Sequence, residues 1–293
     1  MILVTGASGL LGANFCALAQ RRLGAVTGVF HGHPVQPRGW DLVQADLRED
    51  GAAEALVDRC RPAWIVHCAA LTNLDFCEEH PEEAERTNVL MTRRVAIAAA
   101  RAGARLVHIS TDGVFDGETG GYTEVSPTSP INVYGRTKLA GERAVMDILK
   151  DALIVRTNIY GWNAQSGKLS LAEWILDRLE RGLRVPGFHD AFFTPILVDH
   201  LGEFLLDMMA QRLTGIYHVA GSQAISKRDF ATRLAEIFEL DASLVDSISV
   251  IGGPLKAPRP RNPTLDTRKA ALALARPMPD IASGLIDFKE KRG

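Results

Sequence analysis

The chain has 293 residues, of which 46% are hydrophobic and 23% are charged, as in an ordinary globular protein. Its 33 basic residues nearly balance its 35 acidic ones, and the net charge of −2 gives no field that would favour nucleic acid or an anionic membrane. No apolar run approaches the roughly 18 residues that span a bilayer. The chain enters an apolar segment directly after Met1, without a basic leader. We therefore expect a cytoplasmic protein without a nucleic-acid or membrane partner.

The first half of the chain alternates short apolar runs with amphipathic segments. We predict strands over 2–5, 25–30, 63–68, 104–110 and 152–157, and helices over 11–23, 50–59, 81–102 and 134–149. Asp50 is the expected N-cap of the second helix. Such alternation predicts crossover connections and a parallel sheet, and strands that are apolar on both faces indicate burial between two helix layers.

After residue 157 this alternation becomes looser. Helical patterns cover 170–181, 198–211 and 227–238, and a short strand pattern covers 216–220. Residues 252–263 are rich in Pro, Gly and Arg, which predicts an extended loop. We expect this half to cover the carboxyl edge of the sheet and to form a pocket there.

A glycine loop of the form GxxGxxG joins the first predicted strand to the first predicted helix. Gly6 permits the tight turn, Gly9 lets the backbone approach a pyrophosphate, and Gly12 permits close packing of helix on strand. The backbone at Ser8, Leu10 and Leu11 then offers N–H groups and the partial positive charge of a helix N-terminus to phosphates.

The loop and the alternation together predict an α/β fold with a doubly wound parallel sheet of the Rossmann type. We expect a dinucleotide-binding domain over 1–157, to which part of 190–213 returns. Residues 158–293 then form a smaller, mainly substrate-binding region.

The segment after the second predicted strand bears on the choice of dinucleotide. An acidic residue usually stands there to hold the ribose hydroxyls of NAD, but this chain has no Asp or Glu at that point. His31, His33 or Arg38 are positioned to meet a 2′-phosphate, or they are solvated loop residues. NADPH is therefore favoured over NADH, and Asp46 and Leu47 are expected beside the adenine. No cysteine or carboxylate cluster accompanies the two histidines, so we predict no metal site.

A second set of residues indicates proton transfer beside the nicotinamide. Tyr134 and Lys138 are four residues apart on a predicted helix and share a face. A free tyrosine has a pKa of about 10 and is a poor acid or base at neutral pH, but a neighbouring ammonium favours the phenolate and lowers that pKa. Thr111 follows the strand over 104–110, where its hydroxyl can bond a substrate carbonyl. The set predicts reduction by hydride, with a proton from Tyr134.

These motifs resemble the extended short-chain dehydrogenase/reductase family. The shared features are GASGLLG at 6–12, CAA at 68–70, Asn88 in a long helix, STDGVFDG at 110–117, YGRTK at 134–138 and RTNIYG at 156–161. Within the family the chain is most similar to the dTDP-4-dehydrorhamnose reductase-like subgroup, through residues 71–89, 215–231 and 257–270. The resemblance covers nearly the whole chain and implies reduction of a 4-keto group on a nucleotide-linked deoxysugar.

The resemblance also assigns residues. Thr111, Tyr134 and Lys138 match the catalytic positions. The cofactor positions are matched by Gly6, Gly9, Gly12, Asp46, Ala69, Ala70, Asn88, Tyr134 and Lys138. Substrate contacts are expected at Asn158, Tyr160 and Thr194.

One departure from the family pattern separates reactions. The family often has Tyr where this chain has Gly113, so a pocket wall is missing or another side chain replaces it. Nucleotide-sugar dehydratases carry Asp-Glu after the Thr as acid and base for loss of water, whereas this chain carries Asp112 and Gly113. The missing second carboxylate favours simple reduction over dehydration.

Several alternatives stay open at this point. The chain also resembles a non-catalytic regulatory subunit of methionine adenosyltransferase, and a nucleotide-sugar epimerase is a further candidate. The cations Lys227, Arg228, Lys256, Arg259 and Arg261 either bind an anion such as the substrate diphosphate, with Arg259 as the expected contact, or are solvated. We also expect a homodimer. The four cysteines form no CxxC pair, so we expect them to be reduced thiols.

Overall fold

A computed structural model describes residues 1–37, 39–165, 167–252 and 255–292. Arg38, one of the cations expected near a 2′-phosphate, lies outside these residues. The α-helices are α1 (Leu10–Leu23), α2 (Ala52–Cys60), α3 (Leu74–Glu79), α4 (Pro81–Glu85), α5 (Met91–Ala102), α6 (Val133–Ile148), α7 (Leu171–Glu180), α8 (Val198–Ala210), α9 (Lys227–Ile237), α10 (Arg268–Ala273) and α11 (Ile281–Glu290).

The strands belong to one large sheet and three short pairs. They are β1 (Ile2–Thr5), β2 (Val26–Phe30), β3 (Asp41–Gln44), β4 (Trp64–His67), β5 (Arg105–Thr111), β6 (Leu153–Thr157), β7 (Ile159–Tyr160), β8 (Val185–Phe188), β9 (Phe192–Phe193), β10 (Ile196–Leu197), β11 (Gly215–His218), β12 (Ile225–Ser226) and β13 (Val245–Ile248). The large sheet is parallel, in the order β11-β6-β5-β4-β1-β2-β3. The predicted doubly wound α/β fold is confirmed.

The register aligns the carboxyl ends of the central strands. Thr5 at the end of β1 pairs with Val29 of β2 and His67 of β4, and Thr111 at the end of β5 pairs with Thr157 of β6. The loops that follow these strands therefore meet along one edge of the sheet, where ligands bind in folds of this type.

Alternate side chains of the strands enter two separate cores. Val4 packs with α1 and α8 on one face of the sheet, and Leu3 packs with α2 and α5 on the other. Each fully buried aliphatic side chain of this kind contributes about 1.5–3 kcal/mol. Burial on both faces explains why the sequences of these strands are continuous apolar runs.

The second half of the chain both returns to the sheet and forms its own core. α8 packs on α1, and β11 extends the sheet beside β6. A third core lies between α7, α9 and α11. We therefore keep the division at residue 157 as a proposal and extend the returning segment from 190–213 to include β11.

Three local predictions are corrected. α2 begins at Ala52 with Gly51, at a left-handed φ of 76°, as its N-cap, because Asp50 is exposed and pairs with Arg94. The helix predicted over 81–102 is interrupted by a π-helical segment, Arg86–Leu90. Thr111 is the last residue of β5 and does not follow it.

The cysteines carry free thiols in the structure. Cys16 and Cys77 are buried, and Cys60 and Cys68 are partly exposed. Burial raises the pKa of Cys77 to about 11 and that of Cys68 to about 12, so both are protonated at neutral pH. Within the described ranges, no helix combines the length and the apolar character that a bilayer crossing requires.

Candidate active site

The glycine loop packs tightly against the segment that follows β4. Gly6 has a left-handed φ of 67°, and a Cβ there would lie 2.6 Å from the backbone nitrogen of Ala69. A Cβ at Gly12 would overlap the carbonyl oxygen of Gly6. Ala69 and Ala70 are both half-buried beside the loop. These close approaches leave no room for side chains and agree with the predicted roles of Gly6 and Gly12.

The N-terminus of α1 is open to an anion. Gly9 is its N-cap and supplies no capping side chain. Ser8, Gly9 and Leu10 are half-buried, whereas Leu11 and Gly12 are buried in the core. Leu11 can therefore reach a ligand only through its backbone N–H. An uncapped first turn with free N–H groups fits the pyrophosphate of a dinucleotide.

A charged cluster lies beyond the end of β2. Arg48 Nε and Nη2 donate to the two carboxylate oxygens of Asp46 at 2.9 and 2.8 Å, and Nη1 donates to Glu83 at 2.6 Å. His31 Nε2 lies 3.3 Å from both Arg48 Nη2 and Asp46 Oδ2, and His33 is exposed. The hydrogen bonds from Arg48 lower the pKa of Asp46 to about 2. Sequence analysis named His31 and Asp46 but missed Arg48, although it stands two residues after Asp46.

Two predicted cofactor residues have buried side chains, and their contact with the cofactor stays a prediction. Leu47 is buried and packs between the sheet and α2. Asn88 is fully buried, and its Oδ1 accepts from Leu71 N at 2.9 Å. Its Nδ2 donates to Leu71 O and to Thr137 Oγ1, both at 3.1 Å. Asn88 thus ties the segment after β4 to α6, and its amide is already occupied.

The predicted catalytic residues come from neighbouring elements at the carboxyl edge. Thr111 ends β5, and Tyr134 and Lys138 lie one turn apart on α6, whose first turn is capped by the Asn132 side chain. A Cβ on Gly113 would lie 3.4 Å from Thr111 Oγ1 and 3.7 Å from Tyr134 Cε1. Thr111 and Tyr134 therefore both border the space that a side chain at position 113 would occupy. Because residue 113 is a glycine, no side chain fills this gap.

Lys138 is held by the strand that carries Thr111. Its Nζ donates to the carbonyl oxygen of Ile109 at 2.7 Å. Burial lowers the pKa of Lys138 to about 8, while the nearby Glu142 and Cys68 raise it. Lys138 is thus predominantly charged at neutral pH and loses this charge in mild alkali.

The acidity of Tyr134 differs from the expectation. Burial raises the pKa of Tyr134, and the proximity of the Thr111 hydroxyl lowers it only in part. Lys138 does not contribute the expected lowering of this pKa, and removal of the phenol from water, which disfavours its charged form, is the largest contribution. Tyr134 carries its proton at neutral pH, which suits a proton donor.

A buried carboxylate links Thr111, the predicted catalytic threonine, to Asn158. Asp112 Oδ1 accepts from the Thr111 hydroxyl at 3.1 Å, and its Oδ2 accepts from Asn158 Nδ2 at 2.7 Å. Burial raises the pKa of Asp112, whereas Asn158 and the charge of Lys227 lower it. The structure thus links Asn158 to Thr111 through Asp112, and the charge of Lys227, which is far away in the sequence, acts on the pKa of the same carboxyl.

Two predicted substrate residues have buried side chains. Tyr160 is 2% exposed, and Phe230 and Phe288 meet its ring edge-on at 5.2 and 5.7 Å. Thr194 is 3% exposed, and its hydroxyl accepts from Leu265 N at 3.1 Å. These side chains pack in the third core and against the tail, and their contact with substrate stays a prediction.

The cations of the tail neutralise the protein's own carboxylates. Arg259 lies 2.9 Å from Asp75 and donates to Ala257 O at 2.8 Å, and Lys256 pairs with Glu79. These bonds fasten the tail to α3. Arg259 thus anchors the tail, and its expected contact with the substrate diphosphate stays a prediction.

Curated relatives match almost the whole chain. The probable low-salt glycan biosynthesis reductase Agl14 of Haloferax volcanii is 33% identical over 286 residues, covering 96% of this chain and 95% of the relative. The dTDP-4-dehydrorhamnose reductase of Mycobacterium tuberculosis is 32% identical, covering 97% and 90%. Methionine adenosyltransferase 2 subunit beta of Xenopus tropicalis is also 32% identical, covering 91% and 80%.

Solved structures and a family model agree with these matches. The dTDP-4-dehydrorhamnose reductase of Bacillus anthracis in complex with NADP has a TM-score of 0.85 at 28% identity, covering 99% of this chain and 98% of that chain. The family model described as RmlD substrate binding domain matches residues 1–291. The resemblance inferred from the motifs is confirmed, and the chain belongs to the RmlD substrate binding domain family.

Proposed function

We propose that the protein is a reductase that uses NADPH or NADH to reduce a keto group on a nucleotide-linked sugar. One observation carries this proposal: Thr111 and Tyr134 flank a single gap at the sheet edge where the glycine loop also lies. The M. tuberculosis relative, which is a dTDP-4-dehydrorhamnose reductase, and the B. anthracis structure with NADP support it. The most specific form of the proposal is a dTDP-linked 4-keto-6-deoxyhexose as substrate.

The cradle of Gly6, Gly9 and Gly12 fits a dinucleotide, because a Cβ on Gly6 or Gly12 would collide with the backbone and α1 begins without a capping side chain. When the dinucleotide is bound in this cradle, its nicotinamide would supply the hydride for the reduction. Asp46 and His31 would hold its adenosine end, and Lys138 would hold its nicotinamide end.

Tyr134 gives its proton to the substrate oxygen as the ketone becomes an alcohol. Its raised pKa keeps that proton in place at neutral pH. Thr111 provides a second hydroxyl beside the same gap. The positive charge of Lys138, one turn away, favours the phenolate that remains after the transfer.

The alternatives differ in what the site must contain. A dehydratase needs a second carboxylate where this chain has Gly113, which carries no side chain. A regulatory subunit of methionine adenosyltransferase, the alternative considered from the sequence, needs no catalytic set, whereas Thr111, Tyr134 and Lys138 are all present here and favour reduction. An epimerase must retain NAD tightly, and the absence of an Asp or Glu directly after β2 favours a reductase over it.

The test is oxidation of NADPH and of NADH with dTDP-4-keto-6-deoxyhexose, with Tyr134→Phe beside the wild type. We expect the variant to lose about 10²- to 10⁴-fold in kcat and to bind cofactor normally. Tyr217→Phe is the matched control. Tyr217 lies on β11, the outermost strand of the large sheet, beside Lys269, so this variant should keep full activity. Dinucleotide binding without turnover by the wild type would instead favour the regulatory subunit.

We also propose that the protein is a cytoplasmic homodimer whose small-molecule partner is the nucleotide sugar. The near-zero net charge supports neither a nucleic-acid nor a membrane partner. Light scattering after size exclusion tests the dimer. A mass of twice the 31.9 kDa of one chain supports it, and a mass of 31.9 kDa contradicts it.

A further inference from the structure

Asn132 holds two parts of the structure with one buried amide. It is the N-cap of α6, and its Oδ1 accepts from Gly135 N at 2.8 Å. Its Nδ2 donates to the carbonyl oxygen of Pro258, also at 2.8 Å. Asn132 is 1% exposed. The residue that begins the helix of Tyr134 and Lys138 is thus bonded to a segment 126 residues further along the chain.

Helix capping alone does not require the whole amide of Asn132. The side chain of Asp or Ser caps a helix about as well as that of Asn, because capping needs only an acceptor oxygen. The Nδ2 donor is the part of the amide that capping leaves unused, and it reaches Pro258 in the tail segment, residues 256–262. This second hydrogen bond therefore indicates a second role for Asn132.

The first turn of α6 packs directly against the turn that carries Thr111. A Cβ on Gly135 would overlap the carbonyl oxygen of Gly113 and would lie 2.9 Å from Pro130 Cβ. The N–H of Gly113 in turn donates to the Thr111 hydroxyl oxygen at 3.0 Å. A shift of this first turn would therefore change the distance between Tyr134 and Thr111, which border the same gap.

The tail segment is itself fixed on both sides of Pro258. On one side, the Asp75 carboxylate on α3 accepts from Ala257 N at 2.9 Å. On the other side, the N–H of Asn262 donates to the carbonyl oxygen of Gly117, in the loop after β5, at 2.8 Å. The tail segment is therefore a strap with two fixed ends, and it is bonded between them to the N-cap of α6.

We propose that Asn132 is a positioning residue for Tyr134. Its two hydrogen bonds connect the tail segment to the first turn of α6, so that the strap holds this turn against Thr111 at the spacing that proton transfer requires. This inference rests on the proposed reductase function and deepens it. Tyr134 remains the proton donor, and Asn132 acts through the helix that carries it.

Two variants of Asn132 separate its two hydrogen bonds. Asn132→Asp keeps the capping oxygen but replaces the donor by an oxygen that faces the carbonyl of Pro258. We expect kcat to fall about 3- to 10-fold, with little change in KM for the keto sugar and in NADPH affinity. Asn132→Ala loses both hydrogen bonds and should lower kcat about 10- to 100-fold. Urea unfolding of each variant shows the conditions under which all of them are folded.

Asp75→Ala loosens the tail segment without changing a residue of α6. It should lower kcat by a factor similar to that of Asn132→Asp. The double variant should lose little more than the slower single variant, because both substitutions break the same connection. Hydrogen exchange in the first turn of α6 should become faster in both single variants, and this measurement needs no turnover.

Asp280→Ala is the matched control. Asp280 is the N-cap of α11, where its Oδ1 accepts from Ser283 N at 2.7 Å, and α11 carries none of the predicted site residues. This variant loses a cap of the same kind, so it should lose stability and keep the kcat of the wild type.

Three outcomes would overturn the inference. The first is a wild-type kcat for Asn132→Asp, and the second is unchanged hydrogen exchange in α6 when Asp75→Ala loosens the tail segment. The third is an equal fall of kcat in Asp280→Ala, which would show that lost stability alone lowers the activity. If the wild type reduces no keto sugar, the proposed reductase function fails, and the exchange measurement still decides whether the tail segment holds α6.

Discussion

The Lys138 ammonium donates a hydrogen bond to the backbone carbonyl oxygen of Ile109, with 2.7 Å between Nζ and O. Ile109 lies two residues before Thr111 on β5, so this bond ties α6 to the strand that carries the catalytic hydroxyl. Burial in this contact lowers the pKa of Lys138 to about 8. The charge that favours the phenolate of Tyr134 is therefore lost within an accessible pH range.

The first prediction is a fall of kcat in alkali. A lysine is charged below its pKa, so the helpful cation is present below about pH 8 and disappears above it. We expect the wild-type kcat to be level near neutral pH and to fall as the pH rises through about 8. Lys138→Met should be slow at every pH, without this step.

Lys269→Met serves as the control for this profile, because Lys269 lies over the ring of Tyr217 on β11, the edge strand of the large sheet. Its loss should leave the fall in kcat in place. The measurement is kcat at saturating sugar and cofactor across neutral and mildly alkaline buffers. A wild-type kcat that increases through pH 8 would contradict a role for the charged form of Lys138.

The second prediction concerns the packing of the glycine loop. Gly12→Ala places a Cβ against the carbonyl oxygen of Gly6, so the loop or α1 must shift. We expect at least about a tenfold loss of NADPH affinity, because the N–H groups that face the pyrophosphate move with the helix. Fluorescence titration with NADPH measures the affinity.

Gly24→Ala at the other end of α1 is the matched control. Gly24 has a left-handed φ of 81° and nothing within 4 Å of a Cβ, so alanine there costs about 1–2 kcal/mol of backbone strain without a collision. Its NADPH affinity should be that of the wild type. Similar affinities for Gly12→Ala and the wild type would mean that the loop tolerates a shifted helix.

Local spacing explains which parts of the site were predictable. Gly6 and Lys138 belong to short motifs whose geometry follows from one turn or one helical repeat, so the sequence predicted them. The packing of Tyr160 and the ion pair of Arg259 were not predictable, because their partners are distant in sequence. The position of Lys227 follows the pairing of β9 with β12, and no local sequence pattern indicates that pairing.

The third prediction concerns the choice between NADPH and NADH. Arg48 neutralises Asp46 and Glu83 next to the end of β2. Removing Arg48 takes away a cation and leaves two carboxylates unpaired, and both changes disfavour the 2′-phosphate of NADPH. We expect Arg48→Ala to raise KM for NADPH about tenfold more than KM for NADH.

Arg86→Ala is the control for this selectivity. Arg86 is exposed on the same side of the domain and pairs with Glu49 at 2.9 Å, outside the Arg48 cluster. Its loss should leave the ratio of the two KM values unchanged. Equal increases in both KM values for Arg48→Ala would show that the cluster positions the adenosine without reading its phosphate.

The last prediction concerns stability behind the site, where Arg156 donates to both oxygens of Glu142 at 2.9 and 2.7 Å and both side chains are 3% exposed. Arg156→Met leaves the Glu142 carboxylate buried without its cation, so we expect a loss of about 3–5 kcal/mol in the free energy of unfolding. Replacing both residues, as Arg156→Met with Glu142→Leu, removes both charges and should recover most of that loss. Urea unfolding measures all three proteins, and a double variant no more stable than the single one would mean that the buried pair itself stabilises the fold.

Because Glu142 also raises the pKa of Lys138, the double variant should lose kcat at a lower pH than the wild type even where its stability is restored.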